Sequence, residues 1–335
     1  MPLMLALLLV SVYCSPAQTL RERIEERRTA HEPEAETTAA FPAKGRLFTA
    51  KHMTLSFGGV ERSYLIQPVH KSGIHPVLIL LHGGTETAEQ VWRQTSLPTL
   101  GERDGFIVVA PNAVDRHWND GRNATLGGGG PSAADDVGFL KALIAEVIAS
   151  FHGDPKTIFM IGASNGGFMT MHFACKSGDL LRAAGNVVSD LPVDQKADCP
   201  CRKPLPWLSL NGTSDPLIPF GGEPAGAVKN GQKQPALLSA DDTFAFWANR
   251  NHCASEVQST RLPHREATDS TWVEKRVRTG GAGETSCVQY VIHGGGHIWP
   301  NAQPAPIVER FIGLSNQDID AGEVIWEFFR GTLQK

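Results

Sequence analysis

The sequence predicts an α/β fold: a mostly parallel, doubly wound sheet that is led by an antiparallel hairpin and lies in a single domain. Several short runs, such as residues 76–81, are almost wholly apolar, which is typical of strands buried on both faces. Stretches with helical apolar periodicity, such as residues 135–150, lie between these runs. This alternation of strands and helices favours a sheet covered by helices on both sides.

The predicted elements follow one another from the hairpin to the end of the chain. Residues 51–57 and 62–67 alternate apolar and polar side chains around Gly58-Gly59, which is the pattern of a half-buried hairpin. The remaining predicted elements are buried strands at 76–81, 106–110, 157–161, 185–189, 205–211 and 288–292, and helices at 135–150, 241–251 and 318–329. Because no interior linker interrupts them, we expect one domain over residues 45–335.

The composition and the N-terminal segment suggest an exported globular protein. The chain has 335 residues, a formal net charge of −4 and no strongly basic stripe, so a nucleic-acid partner is not expected. Residues 3–12 are almost all apolar but too few to span a bilayer, and small residues follow at 15–17. We predict a cleaved signal peptide at 1–17, with a membrane anchor as the alternative. Residues 18–44 then form a charged, flexible leader.

Export predicts a secreted or periplasmic protein without stable membrane insertion, and it makes disulfides plausible. Removal of the signal leaves five cysteines: Cys175, Cys199, Cys201, Cys253 and Cys287. We expect Cys175 to pair with either Cys199 or Cys201, because these two are too close in sequence to bridge each other easily. Their spacing lacks a matching second pair, so no metal site is expected.

A Gly-x-Ser-x-Gly turn at residues 162–166 joins a predicted strand to a predicted helix. This arrangement is the nucleophile elbow, in which Ser164 stands exposed at the strand end. The glycines lack Cβ atoms, so the strand and the helix can approach each other closely. The first N–H groups of the helix, including that of Asn165, would face a developing negative charge. We therefore predict a nucleophilic serine with Asn165 as one oxyanion-hole donor.

An acid and an imidazole follow later predicted strands. Asp215 comes after the strand at 205–211 and His297 after the last strand, which gives the chain order Ser, Asp, His of this type of hydrolase. His297 would take the serine proton, and Asp215 would orient the ring and stabilise its cation. His293 is the alternative base, but it directly follows the last strand, which would hold its side chain in the plane of the sheet. Asp190 is the alternative acid, and it follows the strand before the one that leads to Asp215.

Further side chains are candidates for binding. The loop after the strand at 76–81 would supply the second oxyanion donor from Gly84, or else from Thr85. Trp118 and Trp299 could offer flat apolar surface to an aryl or polyester group, or could simply fill the core. Asp135 and Asp136 open a helix, and we expect them to cap it and to anchor a loop.

Five segments carry a resemblance to a known family: residues 81–84, 135–139, 162–167, 211–215 and 294–300. In these motifs the chain resembles the secreted poly(3-hydroxybutyrate) depolymerase-like esterases, which are related to the feruloyl and acetylxylan esterases of carbohydrate-esterase family one in the α/β-hydrolase superfamily. The resemblance runs from about residue 50 to about residue 330. The run Gly-Gly-Gly-His-x-Trp-Pro, together with Gly-x-Ser-Asn-Gly-Gly, is quite specific to the family.

The resemblance implies a Ser-His-Asp hydrolase without a cofactor, acting through an acyl-enzyme on polyester or on plant cell-wall feruloyl or acetyl esters. It also implies a disulfide between Cys253 and Cys287. Two features depart from the family: many members have a cysteine where this chain has Gly84, and residues 259–275 are longer than usual, as if to add a hairpin. An exported serine peptidase of the same fold and a noncatalytic binding protein are the alternatives.

Overall fold

The computed structural model of this chain describes residues 50–122, 133–200, 203–229 and 232–333. The predicted signal peptide at 1–17 and leader at 18–44 lie outside these residues. Within the described ranges, no helix is both long enough and apolar enough to cross a membrane.

The secondary structure alternates along the chain as predicted, with element ends that differ by a few residues. The strands of the described residues are β1 Lys51–Phe57, β2 Val60–Gln67, β3 His75–Leu81, β4 Ile107–Pro111, β5 Gly153–Ala163, β6 Ala183–Val187, β7 Trp207–Gly212, β8 Val228–Lys229, β9 Gln232–Lys233, β10 Gln258–Arg261, β11 Trp272–Arg278 and β12 Cys287–His293. The α-helices are α1 Ala88–Gln94, α2 Leu97–Asp104, α3 Asp136–Phe151, α4 Asn165–Ser177, α5 Val193–Ala197, α6 Ala240–Arg250, α7 Pro306–Ile312 and α8 Ala321–Leu333.

Ten of these strands form one sheet in the order β1-β2-β4-β3-β5-β6-β7-β12-β11-β10. The six strands from β4 to β12 in this order run parallel. Antiparallel strands close both edges: β1 and β2 on one side, β11 and β10 on the other. The predicted fold class is therefore confirmed, and residues 259–275 do lie in a hairpin, because β10 and β11 pair antiparallel at its two ends.

The sheet buries both of its faces because its central strands are apolar at successive positions. In β3, Ile79 belongs to the core on one face and Leu80 to the core on the other, and both are fully buried. Side chains of strands alternate between faces, so an unbroken apolar run is what a doubly covered strand requires. Phe139 of α3 and Phe168 of α4 fill the first core, and Trp326 of α8 fills the second.

The two aspartates at the start of α3 act as expected from the sequence. The Asp135 carboxylate accepts a hydrogen bond from the Gly138 N–H at 2.8 Å and thereby caps the helix. The Asp136 carboxylate accepts from the Arg62 guanidinium at 2.8 Å and from the Asn119 N–H at 2.7 Å. Asp136 therefore anchors the segment that follows β4.

The disulfide pattern confirms one expectation and corrects another. Cys175 is bonded to Cys199, while Cys201 lies outside the described residues. The predicted Cys253–Cys287 bridge is wrong for this structure, since both residues are buried free cysteines. Their sulfurs take part in hydrogen bonds instead of a covalent bond: the Asn251 amide donates to Cys287 Sγ at 3.1 Å, and the Cys253 thiol donates to a backbone carbonyl.

Candidate active site

The carboxyl ends of three parallel strands bring the predicted catalytic residues to one edge of the sheet. Ser164 follows β5, Asp215 follows β7 and His297 follows β12, and β5 and β7 are separated only by β6. Ligand sites of open α/β sheets lie at this edge. The edge can therefore carry chemistry that needs a hydroxyl, an imidazole and a carboxylate.

Ser164 is held in a strained backbone conformation between β5 and α4. Its φ is 51° and its ψ is −121°, values that residues with a Cβ atom rarely adopt. Its N–H donates to the Val187 carbonyl at 2.9 Å, which ties the turn to the end of β6. The side chain is partly exposed, unlike the buried residues around it. Strain of this kind is retained where the surrounding structure enforces it, most often at functional sites.

The two outer glycines of the turn are required by close backbone packing. A Cβ atom on Gly166 would lie 2.5 Å from the carbonyl oxygens of both Leu81 and His82. A Cβ atom on Gly162 would collide with the backbone of Gly166 itself. The Gly-x-Ser-x-Gly pattern therefore lets α4 start directly against β3 and β5, with its N-terminus at the serine.

Asp215 and His297 form a buried hydrogen-bonded pair. His297 Nδ1 lies 2.7 Å from Asp215 Oδ2, and the side chains are 9% and 2% exposed. Asp215 Oδ1 accepts from the backbone N–H groups of Leu217 and Ile218, each at 2.8 Å. With Nδ1 donating to the carboxylate, the neutral imidazole carries its lone pair on Nε2. Such a ring can accept a proton at Nε2 and share the resulting charge with Asp215.

Backbone contacts hold the loop that carries His297. The Gly294 N–H donates to Thr213 Oγ1 at 2.8 Å, and the Ser214 N–H donates to the Gly295 carbonyl at 2.9 Å, so this loop is joined to the loop after β7. On its other side, the His297 N–H donates to the Ile312 carbonyl at the end of α7, at 2.5 Å. These bonds position the imidazole from both directions.

The rival residues are engaged elsewhere. His293 Nε2 lies 3.0 Å from Glu274 Oε2, and its ring stacks on Trp272 with 3.6 Å between the ring centroids. Asp190 is fully buried, and burial raises the pKa of its carboxyl well above the ordinary value, with Asp215 raising it further. A carboxyl that resists ionisation is poorly suited to stabilise an imidazolium.

The loop after β3 is organised by a buried neutral histidine. His82 Nδ1 donates to the Gly83 carbonyl at 2.7 Å, and its Nε2 accepts from the Ala113 N–H at 3.0 Å. Burial lowers the pKa of His82 to about 4, so the ring is uncharged at neutral pH. The sequence alone did not single out this role.

The two candidate oxyanion donors of this loop, Gly84 and Thr85, differ in whether their backbone N–H is already hydrogen-bonded. The Thr85 N–H donates to the Arg116 carbonyl at 2.9 Å and is therefore occupied. The Gly84 N–H has no acceptor within the described parts of the chain. A Cβ atom on Gly84 would lie 3.6 Å from Asn165 Cβ and 3.3 Å from His117 Nε2, so the Gly84 backbone lies close to the residue that follows the serine.

Both tryptophans proposed to contact substrate are core residues in this structure. Trp118 is 2% exposed, and its indole N–H donates to the His82 carbonyl at 2.9 Å. Trp299 is 3% exposed and packs in the core on the other face of the sheet. The prediction of flat substrate-binding surface is therefore wrong for these two side chains, because neither presents a ring face to solvent.

The sequence did not indicate a role for two polar residues that lie near the site. Asp120 accepts a hydrogen bond from the Asn165 side chain at 2.7 Å, and Arg122 pairs with Asp120 at 2.6 Å. The only sequence signal was their presence in the polar run that contains Trp118. Among the described residues, no group of three or more His, Cys, Asp or Glu side chains is placed to hold a metal ion.

Comparison with known proteins relates the chain to esterases. No family model matches it. It is 26% identical over 345 residues to the Nocardia uniformis subsp. tsuyamanensis protein named "Putative esterase NocK", covering 98% of this chain and 97% of that protein. It is 29% identical over 187 residues to feruloyl esterase B of Piromyces equi, covering 54% of this chain and 33% of the relative, so the chain spans about a third of that protein.

Further matches point to the same group and to the same fold. Acetylxylan esterase A of Aspergillus oryzae is 23% identical over 235 residues, covering 63% of this chain and 74% of that protein. The solved structure of an acetyl xylan esterase from Aspergillus awamori superposes with a TM-score of 0.54 at 15% identity, covering 84% of this chain and 99% of the other. The chain is therefore a carboxylic ester hydrolase with an α/β-hydrolase fold, similar in sequence to proteins named feruloyl and acetylxylan esterases.

Proposed function

We propose that this esterase works through a catalytic triad of Ser164, His297 and Asp215. The observation that carries the proposal is the buried 2.7 Å contact between His297 Nδ1 and Asp215 Oδ2, at the sheet edge where Ser164 occupies a strained, partly exposed turn. This arrangement supplies a nucleophile, a base with a free lone pair and an acid that orients the base.

In the proposed reaction, His297 Nε2 takes the Ser164 proton as the serine oxygen attacks the ester carbonyl. The N–H groups of Gly84 and Asn165 donate to the resulting oxyanion. His297 then returns the proton to the leaving alcohol, and an acyl group remains on Ser164. Water, deprotonated by His297, attacks this acyl-enzyme, releases the carboxylic acid and restores the serine.

The surface beside the proposed triad supports an ester with an apolar part as the substrate. Ile307, Val308 and Phe311 on α7 are 49%, 43% and 49% exposed, and α7 buries none of its side chains. This helix ends at Ile312, whose carbonyl accepts from the His297 N–H. An apolar surface on the helix that is bonded to the His297 backbone suits a hydroxybutyrate polyester or a feruloyl ester better than an acetylated polysaccharide.

We further propose that the protein is secreted or periplasmic. The apolar run at 3–12 with small residues at 15–17, and the Cys175–Cys199 disulfide, support export into an oxidising compartment. Expression with an intact N-terminus, followed by mass determination of the exported chain, tests this. Retention of the full-length chain in the cytoplasm would contradict it.

Turnover assays test the chemistry and the substrate class together. The purified protein is offered p-nitrophenyl acetate and a chromogenic peptide, and Ser164→Ala is run beside it. We expect ester turnover that this substitution abolishes. Turnover of the peptide alone would support the alternative peptidase, and a folded protein that turns over neither would support a binding protein. Methyl ferulate, acetylated xylan and hydroxybutyrate oligomers then compare the acyl groups.

A further inference from the structure

Residues 116–122, called here the brace, join the two halves of the proposed oxyanion hole. On one side the brace bonds to the loop after β3. The Arg116 carbonyl accepts from the Thr85 N–H at 2.9 Å, and the Trp118 indole donates to the His82 carbonyl at 2.9 Å. The His117 ring, 9% exposed, lies against Gly84 between these two bonds. The brace therefore contacts residues on both sides of the Gly84 N–H.

On its other side the brace bonds to Asn165, the residue that follows the serine. Asn165 Oδ1 accepts from the Trp118 N–H at 2.7 Å, and Asn165 Nδ2 donates to the Trp118 carbonyl at 3.1 Å. Asn165 Nδ2 also donates to Asp120 Oδ2 at 2.7 Å. The Asn165 side chain is 6% exposed, so these bonds are protected from water.

Asp120 is the charged centre of these contacts. Both its side chain and that of Arg122 are almost fully buried, and Arg122 donates to Asp120 Oδ2 from Nη2 at 2.6 Å and from Nε at 3.0 Å. Arg122 also stacks on the Phe168 ring of α4 at 3.5 Å, and the Gln195 amide donates to the Asp120 carbonyl at 2.5 Å. The carboxylate is thus fixed against α4, the helix that begins at Asn165.

We propose that the brace sets the separation of the Gly84 and Asn165 N–H groups, and that Asp120 is a positioning residue that acts through Asn165. The inference rests on the proposed function, because it presupposes that these two N–H groups stabilise an oxyanion. An oxyanion hole accelerates a reaction only if its donors are already placed where charge develops. A buried ion pair adds little to net stability, but its fixed geometry suits this positioning role.

The proposal predicts a loss in the chemical step and not in substrate binding. For Asp120→Ala we expect kcat on p-nitrophenyl acetate to fall by roughly tenfold to hundredfold, which is no more than the effect of removing one oxyanion-hole N–H donor. KM should change less than about threefold. Affinity for benzeneboronic acid, which forms a tetrahedral adduct with a catalytic serine, should fall by the same factor as kcat/KM. Asp120→Asn keeps the volume and one acceptor for Asn165, and it should fall between Asp120→Ala and the wild type.

A double-mutant cycle tests whether Asp120 acts through Asn165. If it does, adding Asp120→Ala to Asn165→Ala should lower kcat less than about twofold further. Independent, multiplicative losses would overturn the proposal, as would a change in KM with kcat preserved. If Asp120→Ala fails to fold, the same cycle is run with Asp120→Asn.

Asp104→Asn is the matched control. Asp104 is also an acid paired with an arginine, Arg103, and it accepts from the Trp326 indole N–H at 2.6 Å without contacting the brace or Asn165. We expect this variant to lose stability but to keep kcat within about twofold of the wild type. An equal fall of kcat in both variants would show general loosening and would overturn the specific role of Asp120. Full activity in Ser164→Ala would instead reject the proposed function, so the two failures are distinguishable.

Discussion

His297 Nδ1 and Asp215 Oδ2 lie 2.7 Å apart although 82 residues separate them along the chain. The parallel neighbours β7 and β12 make this contact possible, because their carboxyl ends carry adjacent loops. The two loops are also bonded to each other through Thr213 and Gly294. The sheet topology therefore brings these two side chains together.

Removing the proposed nucleophile or base should abolish ester turnover. We expect Ser164→Ala and His297→Ala each to lower kcat by roughly 10⁴-fold or more, with circular dichroism unchanged, because neither side chain is a large part of the core. Asp215→Asn should lose less than either. His293→Ala is the control and should stay active. Loss of activity in His293→Ala, with wild-type activity in His297→Ala, would identify the other imidazole as the base.

A methyl group at Gly84 should disturb the proposed oxyanion hole. Its Cβ atom would lie 3.3 Å from His117 Nε2 and 3.6 Å from Asn165 Cβ, so the His117 ring that packs against Gly84 must shift slightly. We expect Gly84→Ala to lower kcat roughly tenfold in steady-state assays. Gly221→Ala is the control, because a Cβ atom there would meet no atom within 4 Å. Equal kcat values in the two variants would contradict the assignment of Gly84.

The exposed side chains of α7 should matter for insoluble esters and not for small ones. Replacing Ile307 and Phe311 by serine should weaken adsorption to a poly(3-hydroxybutyrate) film several-fold, since apolar area leaves the surface. Turnover of p-nitrophenyl acetate should stay within about twofold. Ile74→Ser, at an isoleucine that is 66% exposed on a distant loop, is the control. Unchanged film adsorption in the α7 variant would argue against an apolar polymer as substrate.

The Cys175–Cys199 disulfide should stabilise the fold. It closes a segment with a sequence separation of 24, for which loop-closure entropy predicts roughly 3 kcal/mol. We expect Cys175→Ala, or treatment with a reducing agent, to lower the melting temperature measured by differential scanning calorimetry. Peptide mapping of the oxidised protein should find Cys253 and Cys287 as free thiols. A mapped Cys253–Cys287 bridge would contradict the structure on this point.

Stability should decrease on acidification through His82. Because burial lowers its pKa from 6.5 to about 4, the unfolded chain binds the His82 proton at a higher pH than the native protein does. The free energy of unfolding should therefore decline as the pH falls from about 6.5 to about 4, by roughly 3 kcal/mol at most, and the contribution levels off below that range. Urea titrations at several pH values measure the slope. His82→Gln should be less stable at pH 7 and should show a shallower slope in this range.

The sequence by itself determined the α/β fold class and the turn at Ser164, because both depend on local patterns. Apolar periodicity distinguishes buried strands from amphipathic helices within a few residues, and the Gly-x-Ser-x-Gly turn is contiguous. The turn requires glycine at positions 162 and 166 because the strand before it and the helix after it are in close backbone contact. The capping role of Asp135 is local in the same way.

Only the tertiary structure decided which side chains are buried together. It placed Trp118 and Trp299 in the cores, left Cys253 and Cys287 as thiols, and joined Asp120 to Asn165 across 45 positions. These relationships depend on how the sheet and its crossovers pack, and a side chain's type does not encode its distant neighbours. Polar residues such as Asp120 are the hardest to interpret from sequence, because the same residue suits a solvated loop or a buried ion pair.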